Sequence, residues 1–269
     1  MSITSKGLAV VTGASAGIGA VYGDRLAGRG YDLLLVARNA DRLAATASRI
    51  AQATGRAVET LTADLNDRHD LSRVEAVLAT DPRITMLINN AGIGALQPLL
   101  QSDIDAMEAM IELNATALTR LTYAVAPALV ARGGGTIVNI ASVVAIAPEI
   151  LNGVYGGTKA FVLAFSQSLH QELAPKNVRV QVVLPGATAT NFWGAAGGAV
   201  EQLPENIVMQ VDDTVDAALA GLDQGELVTI PSLARAEDWQ AYEDARRTLM
   251  PNLSLSSVPE RYRPSTAAA

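Results

Sequence analysis

Tyr155 and Lys159 stand four residues apart in VYGGTK, residues 154–159. Only Lys6, Lys159 and Lys176 of the chain's 20 lysines and arginines are lysines. In a helix, residues i and i+4 share a face, so an ammonium would stand beside a phenol. A phenol with its ordinary pKa of about 10 is a poor proton donor and acceptor at neutral pH. A nearby cation stabilises its anion and makes it a usable general acid or base. A second stretch could bind rather than react. VVTGASAGIG, residues 10–19, spaces Gly13, Gly17 and Gly19 around Ser15, Ala16 and Ile18. Such a loop allows a tight turn and a close backbone approach, and a helix N-terminus behind it offers N–H groups and a positive dipole end to a pyrophosphate. Other chemistries are excluded. With no cysteine there is no thiolate nucleophile, disulfide or cysteine zinc site, and the two histidines, His69 and His170, are too far apart in sequence to suggest a triad or metal site. No metal is expected.

These residues need a frame. Short apolar runs recur at 7–13, 31–38, 57–65, 84–92, 135–142, 178–186 and 226–232. Runs without alternation suggest strands buried on both faces, as in a parallel sheet. Helical patterns lie between them at 17–29, 41–53, 69–79, 104–131 and 156–174, with further helices expected at 212–222 and 236–249. Pro127 should kink or interrupt the long one. The alternation predicts an α/β chain, a Rossmann-type doubly wound parallel sheet with right-handed crossovers. No linker or repeat is visible, so a single domain over 1–269 is expected. In that frame the glycine loop sits where the first strand meets the first helix, the place for a dinucleotide. The second strand ends in Ala37 and Arg38 where an acid would suit a ribose 2′-hydroxyl; an arginine suits a 2′-phosphate. NADP(H) is expected in preference to NAD(H).

Taken in order, TGASAGIG (12–19), ADL (63–65), NNAG (89–92), Asn114 in ELNA, IVNIAS (137–142), YGGTK (155–159) and PGATAT (185–190) resemble the short-chain dehydrogenase/reductase family over about residues 5–190. The resemblance implies catalytic roles for Asn114, Ser142, Tyr155 and Lys159. Ser142 would hold and polarise a substrate oxygen, Tyr155 would exchange its proton, Lys159 would lower the phenol's pKa and bond the nicotinamide ribose, and Asn114 would complete a water-linked proton path. It also implies a cofactor site. The glycine loop would cradle the phosphates, Asp64 and Leu65 would flank the adenine, Asn90, Ala91 and Gly92 would form the floor, and Pro185, Gly186 and Thr188 would lie along the nicotinamide. Ala16 departs from the basic residue many NADP-using relatives carry there, which throws the phosphate onto Arg38. The region from about 190 to 269 would supply a substrate lid.

The formal net charge of −7 and the lack of basic runs argue against nucleic acid or an anionic membrane as partner. The longest apolar run, residues 123–131, holds Pro127 and is too short to span a bilayer. A cytoplasmic protein is expected. Residues 143–154 and Phe192, Trp193, Leu203, Ile207 and Met209 are mostly apolar, which points to a neutral, fairly hydrophobic ketone or secondary alcohol as substrate. The alternatives are a 3-oxoacyl thioester reductase and a non-catalytic dinucleotide-binding regulator. The resemblance further implies a homodimer or homotetramer, built on the helices near 104–131 and 156–174; Val162, Phe165 and Leu169 fit such an interface and equally fit packing on the sheet.

Overall fold

The computed structural model describes residues 5–263. The branched aliphatic runs become strands flanked by helices: β1 (Leu8–Thr12), α1 (Gly17–Gly28), β2 (Asp32–Ala37), α2 (Ala40–Thr54), β3 (Val58–Thr62), α3 (Arg68–Thr80), β4 (Ile84–Asn89), α4 (Ile104–Ile111), α5 (Leu118–Ala131), β5 (Gly135–Ile140), α6 (Gly153–Leu173), β6 (Val178–Val183), α7 (Phe192–Ala195), α8 (Val211–Gln224) and β7 (Val228–Thr229). The strands form one parallel sheet in the order β3-β2-β1-β4-β5-β6-β7. Successive residues of β1 divide between two cores. Leu8 and Val10 join Val74, Leu121 and Leu169 of α3, α5 and α6, while Ala9 and Val11 join Leu26, Ile50 and Leu219 of α1, α2 and α8. Burial on both faces explains why the strands read as unbroken apolar runs. The doubly wound sheet expected from the sequence is therefore present. Its connections diverge between β1 and β4, and this leaves a crevice at the carboxyl ends of those strands.

Polar contacts fix α6 to the sheet. Asn89 Nδ2 donates to Thr122 Oγ1 (3.0 Å) and to Asn139 Oδ1 (2.9 Å), and Asn139 Nδ2 donates to Ser166 Oγ (2.9 Å). All four residues are buried. Buried polar groups are costly unless paired, so this network favours one placement of α5 and α6 over slid alternatives.

Two local expectations need correction. The long helix is interrupted at Glu112–Ala117, which is π-helical, and α5 runs straight through Pro127. The carbonyl that Pro127 leaves without its helical partner belongs to Tyr123, an exposed residue, where water can serve instead. The helix carrying Tyr155 starts at Gly153 rather than 156, because Asn152 caps it by accepting from Val154 N (2.9 Å) and Tyr155 N (3.4 Å). Of the two readings open to Val162 and Leu169, packing on the sheet is the one observed, since both are buried, and the outer face of α6 carries Phe161.

By contact, the chain divides into a unit ending at Ser232 and a second beginning at Leu233. The second contains α9 (Ala236–Thr248), with Glu237 and Asp238 in its first turn and Arg246 and Arg247 in its last, each sign suited to the helix dipole. Trp239 and Tyr242 stack on it with centroids 5.1 Å apart.

Candidate active site

A cavity of about 810 Å³ opens at the crevice between β1 and β4. Its lining brings together residues from Gly13 to Ser232. Of the residues singled out in the sequence, Gly13, Ala16, Gly17, Ile18, Asn90, Ala91, Gly92, Ser142, Tyr155, Lys159, Pro185, Gly186 and Thr188 line it. Ser15, Gly19, Arg38, Asp64, Leu65 and Asn114 do not.

One wall is built by hydrogen bonds to the backbone. Asn90 Nδ2 donates to the carbonyls of Thr12 (2.9 Å) and Gly13 (3.3 Å), and Thr12 Oγ1 accepts from Asn90 N and Ala91 N, both at 3.0 Å. Asn90 is thus packed under the glycine loop. A Cβ on Gly13 would lie 2.8 Å from Asn90 Nδ2, and one on Gly19 would lie 2.5 Å from the same atom. Gly13 also has φ of +67°, which disfavours any side chain there. Gly19 therefore serves the loop from behind rather than touching the cavity. At the mouth of α1, the N-cap Ala16 makes no side-chain bond and the first turn carries no acid. Ala16, Gly17 and Ile18 line the cavity at this helix start, whose leading N–H groups have no helical acceptor and form the donor set that a pyrophosphate needs. The residues present therefore fit a dinucleotide.

The adenine side is partly as expected. Arg38 is exposed at the end of β2, with Nη1 3.8 Å from Asp64 Oδ2. The two lie outside the cavity lining but at the same edge of the crevice, since β2 and β3 are neighbours. Asp64 Oδ1 also accepts from Asn66 N (3.0 Å), which steadies the turn after β3. Leu65 follows Asp64 at this edge. Its side chain is buried in the core with Val36 and Leu113, so only its backbone is free to approach a base.

The reactive wall comes from the ends of β5, α6 and the segment after β6. Ser142 follows β5, with its hydroxyl 3.4 Å from Pro185 O and from Val144 N. Tyr155 and Lys159 lie one turn apart on α6, both buried. Lys159 Nζ donates to Ile140 O (2.9 Å) and stands 5.8 Å from the Tyr155 ring centroid. Burial pushes the Tyr155 phenol up to about 12, with the Ser142 hydroxyl drawing it partly back. Burial brings Lys159 down to about 8. Desolvation is the largest influence on the phenol, and Lys159 directs its ammonium at Ile140 O from one helical turn away.

Asn114 is buried within the π-helical turn and stands behind the cavity lining, next to Gly92. Its amide donates to Ile93 O (2.8 Å) and Thr158 Oγ1 (3.1 Å), and its carbonyl accepts from Ile93 N (2.9 Å). It thereby fixes the loop after β4 to α6. Gly92 occupies the gap between it and Lys159, where a Cβ would be 3.1 Å from Asn114 Oδ1 and 3.5 Å from Lys159 Nζ. The sequence reading missed Thr158 and Asn152. Asn152 Nδ2 also donates to Gln97 O (2.6 Å) and Ser102 Oγ (3.2 Å), so the cap of α6 doubles as an anchor for residues 97–102. An Asn just before a helical run was the available signal. Of the paired glycines in VYGGTK, Gly156 lets Pro148 approach, its Cβ position being 3.4 Å from Pro148 Cα, whereas Gly157 faces open space.

The remaining wall is apolar. Phe192, Trp193, Leu203, Ile207, Val208 and Met209 line it, opposite Val144, Ile150 and Leu151. Residues 190–209 carry no lysine or arginine.

The family model described as short chain dehydrogenase matches residues 7–199. A solved short-chain dehydrogenase from Sphingobium yanoikuyae, in complex with NADPH, is 51% identical with a TM-score of 0.93, over 96% of this chain and 100% of that one. A bulky-bulky ketone specific alcohol dehydrogenase from Comamonas testosteroni is 45% identical with a TM-score of 0.89, over 97% and 100% of the two chains. A very-long-chain 3-oxoacyl-CoA reductase from Bos taurus is 36% identical over 188 residues, 68% of this chain and 60% of that protein.

Proposed function

Because the chain belongs to the short-chain dehydrogenase family, we propose that it reduces neutral, fairly hydrophobic ketones, or oxidises the matching secondary alcohols, with NADP(H). The observation that carries this reading is the meeting of Ser142, Tyr155 and Lys159 with the uncapped mouth of α1 around one largely apolar cavity. When bound, NADPH supplies the hydride for the carbonyl carbon. Tyr155 gives its proton to the carbonyl oxygen, and its raised pKa keeps it in the protonated form that this requires. Ser142 donates a hydrogen bond to the same oxygen and holds it against the phenol. Lys159, an ammonium in an otherwise uncharged pocket, stabilises the phenolate left behind. Asn114 acts by positioning, through Ile93 and Thr158. Arg38 receives the 2′-phosphate, in keeping with the NADPH bound to the Sphingobium relative.

The 36% identity to a 3-oxoacyl-CoA reductase favours a second reading, a 3-oxoacyl thioester as substrate. Against it, the segment 190–209 offers Glu201 and Glu205 and no cation to a polyanionic carrier. A panel of aryl and alkyl ketones, 3-oxoacyl thioesters and secondary alcohols, run with NADPH and NADH and followed by nicotinamide absorbance, tests both. Rapid reduction of thioesters with inert ketones would overturn the first reading.

A homodimer or homotetramer is proposed with it. Phe161 and Tyr123 are exposed on α6 and α5, each stacked on Phe165 with centroids 5.6 and 6.4 Å apart, an apolar surface suited to a second copy. Light scattering of the wild type and Phe161→Glu tests it. Among the described residues no helix is long and apolar enough to cross a membrane.

A further inference from the structure

Phe192 and the loop after β4 meet through reciprocal notches. The Phe192 ring lies where a side chain on Gly94 would be, with Cε2 only 2.8 Å from the Cβ position, and Leu96 in turn occupies the space above Gly198. A backbone bond, Leu96 N to Ala196 O at 3.2 Å, ties the same two segments together. Gly94 is not among the glycines with positive φ, so its backbone would accept an alanine and only the ring bars one.

The other side of Phe192 is the cavity. Its ring lines it beside Tyr155, with centroids 5.7 Å apart at 44°. Trp193 meets Phe192 edge to face at 5.8 Å, and its Nε1 donates to Thr188 O (2.9 Å), so the indole backs the ring rather than yielding to it. Gly94 itself does not line the cavity. The ring is thus a partition, with Gly94 behind it and the substrate space in front.

We propose that the Gly94–Phe192 pair sets the size of the ketone substituent that can sit beside Tyr155, Phe192 as the wall and Gly94 as the recess that lets the wall stand back. The pair makes opposite demands on the two residues. Removing the ring widens the space, while filling the recess drives the ring forward and narrows it. With Phe192 already reduced to alanine, filling the recess has nothing to push.

The proposal rests on ketone reduction being the activity. Its test compares kcat/KM with NADPH for acetophenone and for an aryl ketone whose second substituent is a butyl chain. Phe192→Ala should shift the ratio toward the larger ketone, and Gly94→Ala toward the smaller, each by about tenfold. The double variant should behave as Phe192→Ala alone, a departure from additivity that a general loosening of the fold would not produce. NADPH binding, read by quenching of protein fluorescence, should stay within about twofold in every variant. If Phe192→Ala loses that binding, Phe192→Leu carries the test in the same direction. Unchanged ratios in variants that bind NADPH would overturn the proposal, as would additive single effects. A wild-type chain that binds NADPH but reduces neither ketone would overturn the functional reading beneath it.

Discussion

The two walls of the cavity are held in different ways. At the glycine loop, Asn90 and Thr12 bind backbone groups, and Gly13 and Gly19 leave no room for a side chain. At the lid, Phe192, Trp193 and Leu203 meet their surroundings through shape, with Trp193 Nε1 as a polar tether. A backbone surface held by directional bonds suits a ligand that never changes, such as a dinucleotide. A surface of apolar side chains can be resized without losing its fastening, as substrate choice requires. The consequence is a division of effects: damage to the first wall should appear in cofactor affinity, damage to the second in KM and selectivity, and damage to Tyr155 in kcat.

The sharpest probe of that division is Tyr155→Phe. It should lower kcat about 1,000-fold in ketone reduction while NADPH affinity, by fluorescence titration, moves little. A comparable loss of affinity would merge the two walls into one unit. Next is Gly13→Ala, which sets a Cβ against Asn90 at φ of +67°. Strain of about 1–3 kcal/mol should weaken NADPH binding roughly tenfold or more, with the ketone selectivity ratio unchanged. Between the walls stands Lys159, whose pKa burial depresses to about 8 from 10.5. Folded chains then bind fewer protons than unfolded ones above pH 8, so stability contributed by this residue is lost as pH falls through 8 and recovered as it rises. Urea midpoints of the wild type relative to Lys159→Met should improve by about 1 kcal/mol per pH unit from pH 8 to 10. The smallest effect belongs to Trp193→Phe. Losing one hydrogen bond to Thr188 O should cost about 1 kcal/mol, seen as a several-fold rise in KM for the ketone with NADPH affinity intact.

The same division explains what is legible in the sequence alone. The strands, the glycine loop and the Ser142–Tyr155–Lys159 set announce themselves because local geometry restricts their residue types: buried parallel strands demand aliphatic runs, and a helix turn demands spacing by four. What stayed hidden depends on contacts far apart in the chain. The break at Glu112–Ala117 follows Asn114's bonds to Ile93 and Thr158, while Pro127, the local signal, is accommodated at an exposed turn. The inward aim of Val162 and Leu169, and of Leu65, is set by which face of an element meets the sheet. Periodicity narrows that choice but does not settle it when both faces carry apolar residues. Around Tyr155, spacing places a lysine near a phenol, while the burial of both and the aim of the ammonium at Ile140 O come from contacts far apart in the chain.

The lid leaves and rejoins the body at one place. Thr188 and Met209 form an isolated parallel bridge, with Ala189 N donating to Met209 O (2.9 Å) and Met209 N to Ala187 O (2.8 Å). The segment 190–208 thus begins and ends on two adjacent strands of backbone, like a drawer on a pair of runners, and meets the loop after β4 along its length through Leu96 N–Ala196 O and the Gly94 and Gly198 notches. A segment mounted this way can be exchanged whole. Doubling the length of such a loop costs only about 0.6 kcal/mol in closure entropy, small beside the stability of the sheet that carries it. Lids of other lengths and compositions could be grafted between Ala189 and Met209 while the reacting groups stay in register, which makes this junction a natural seam for recombination.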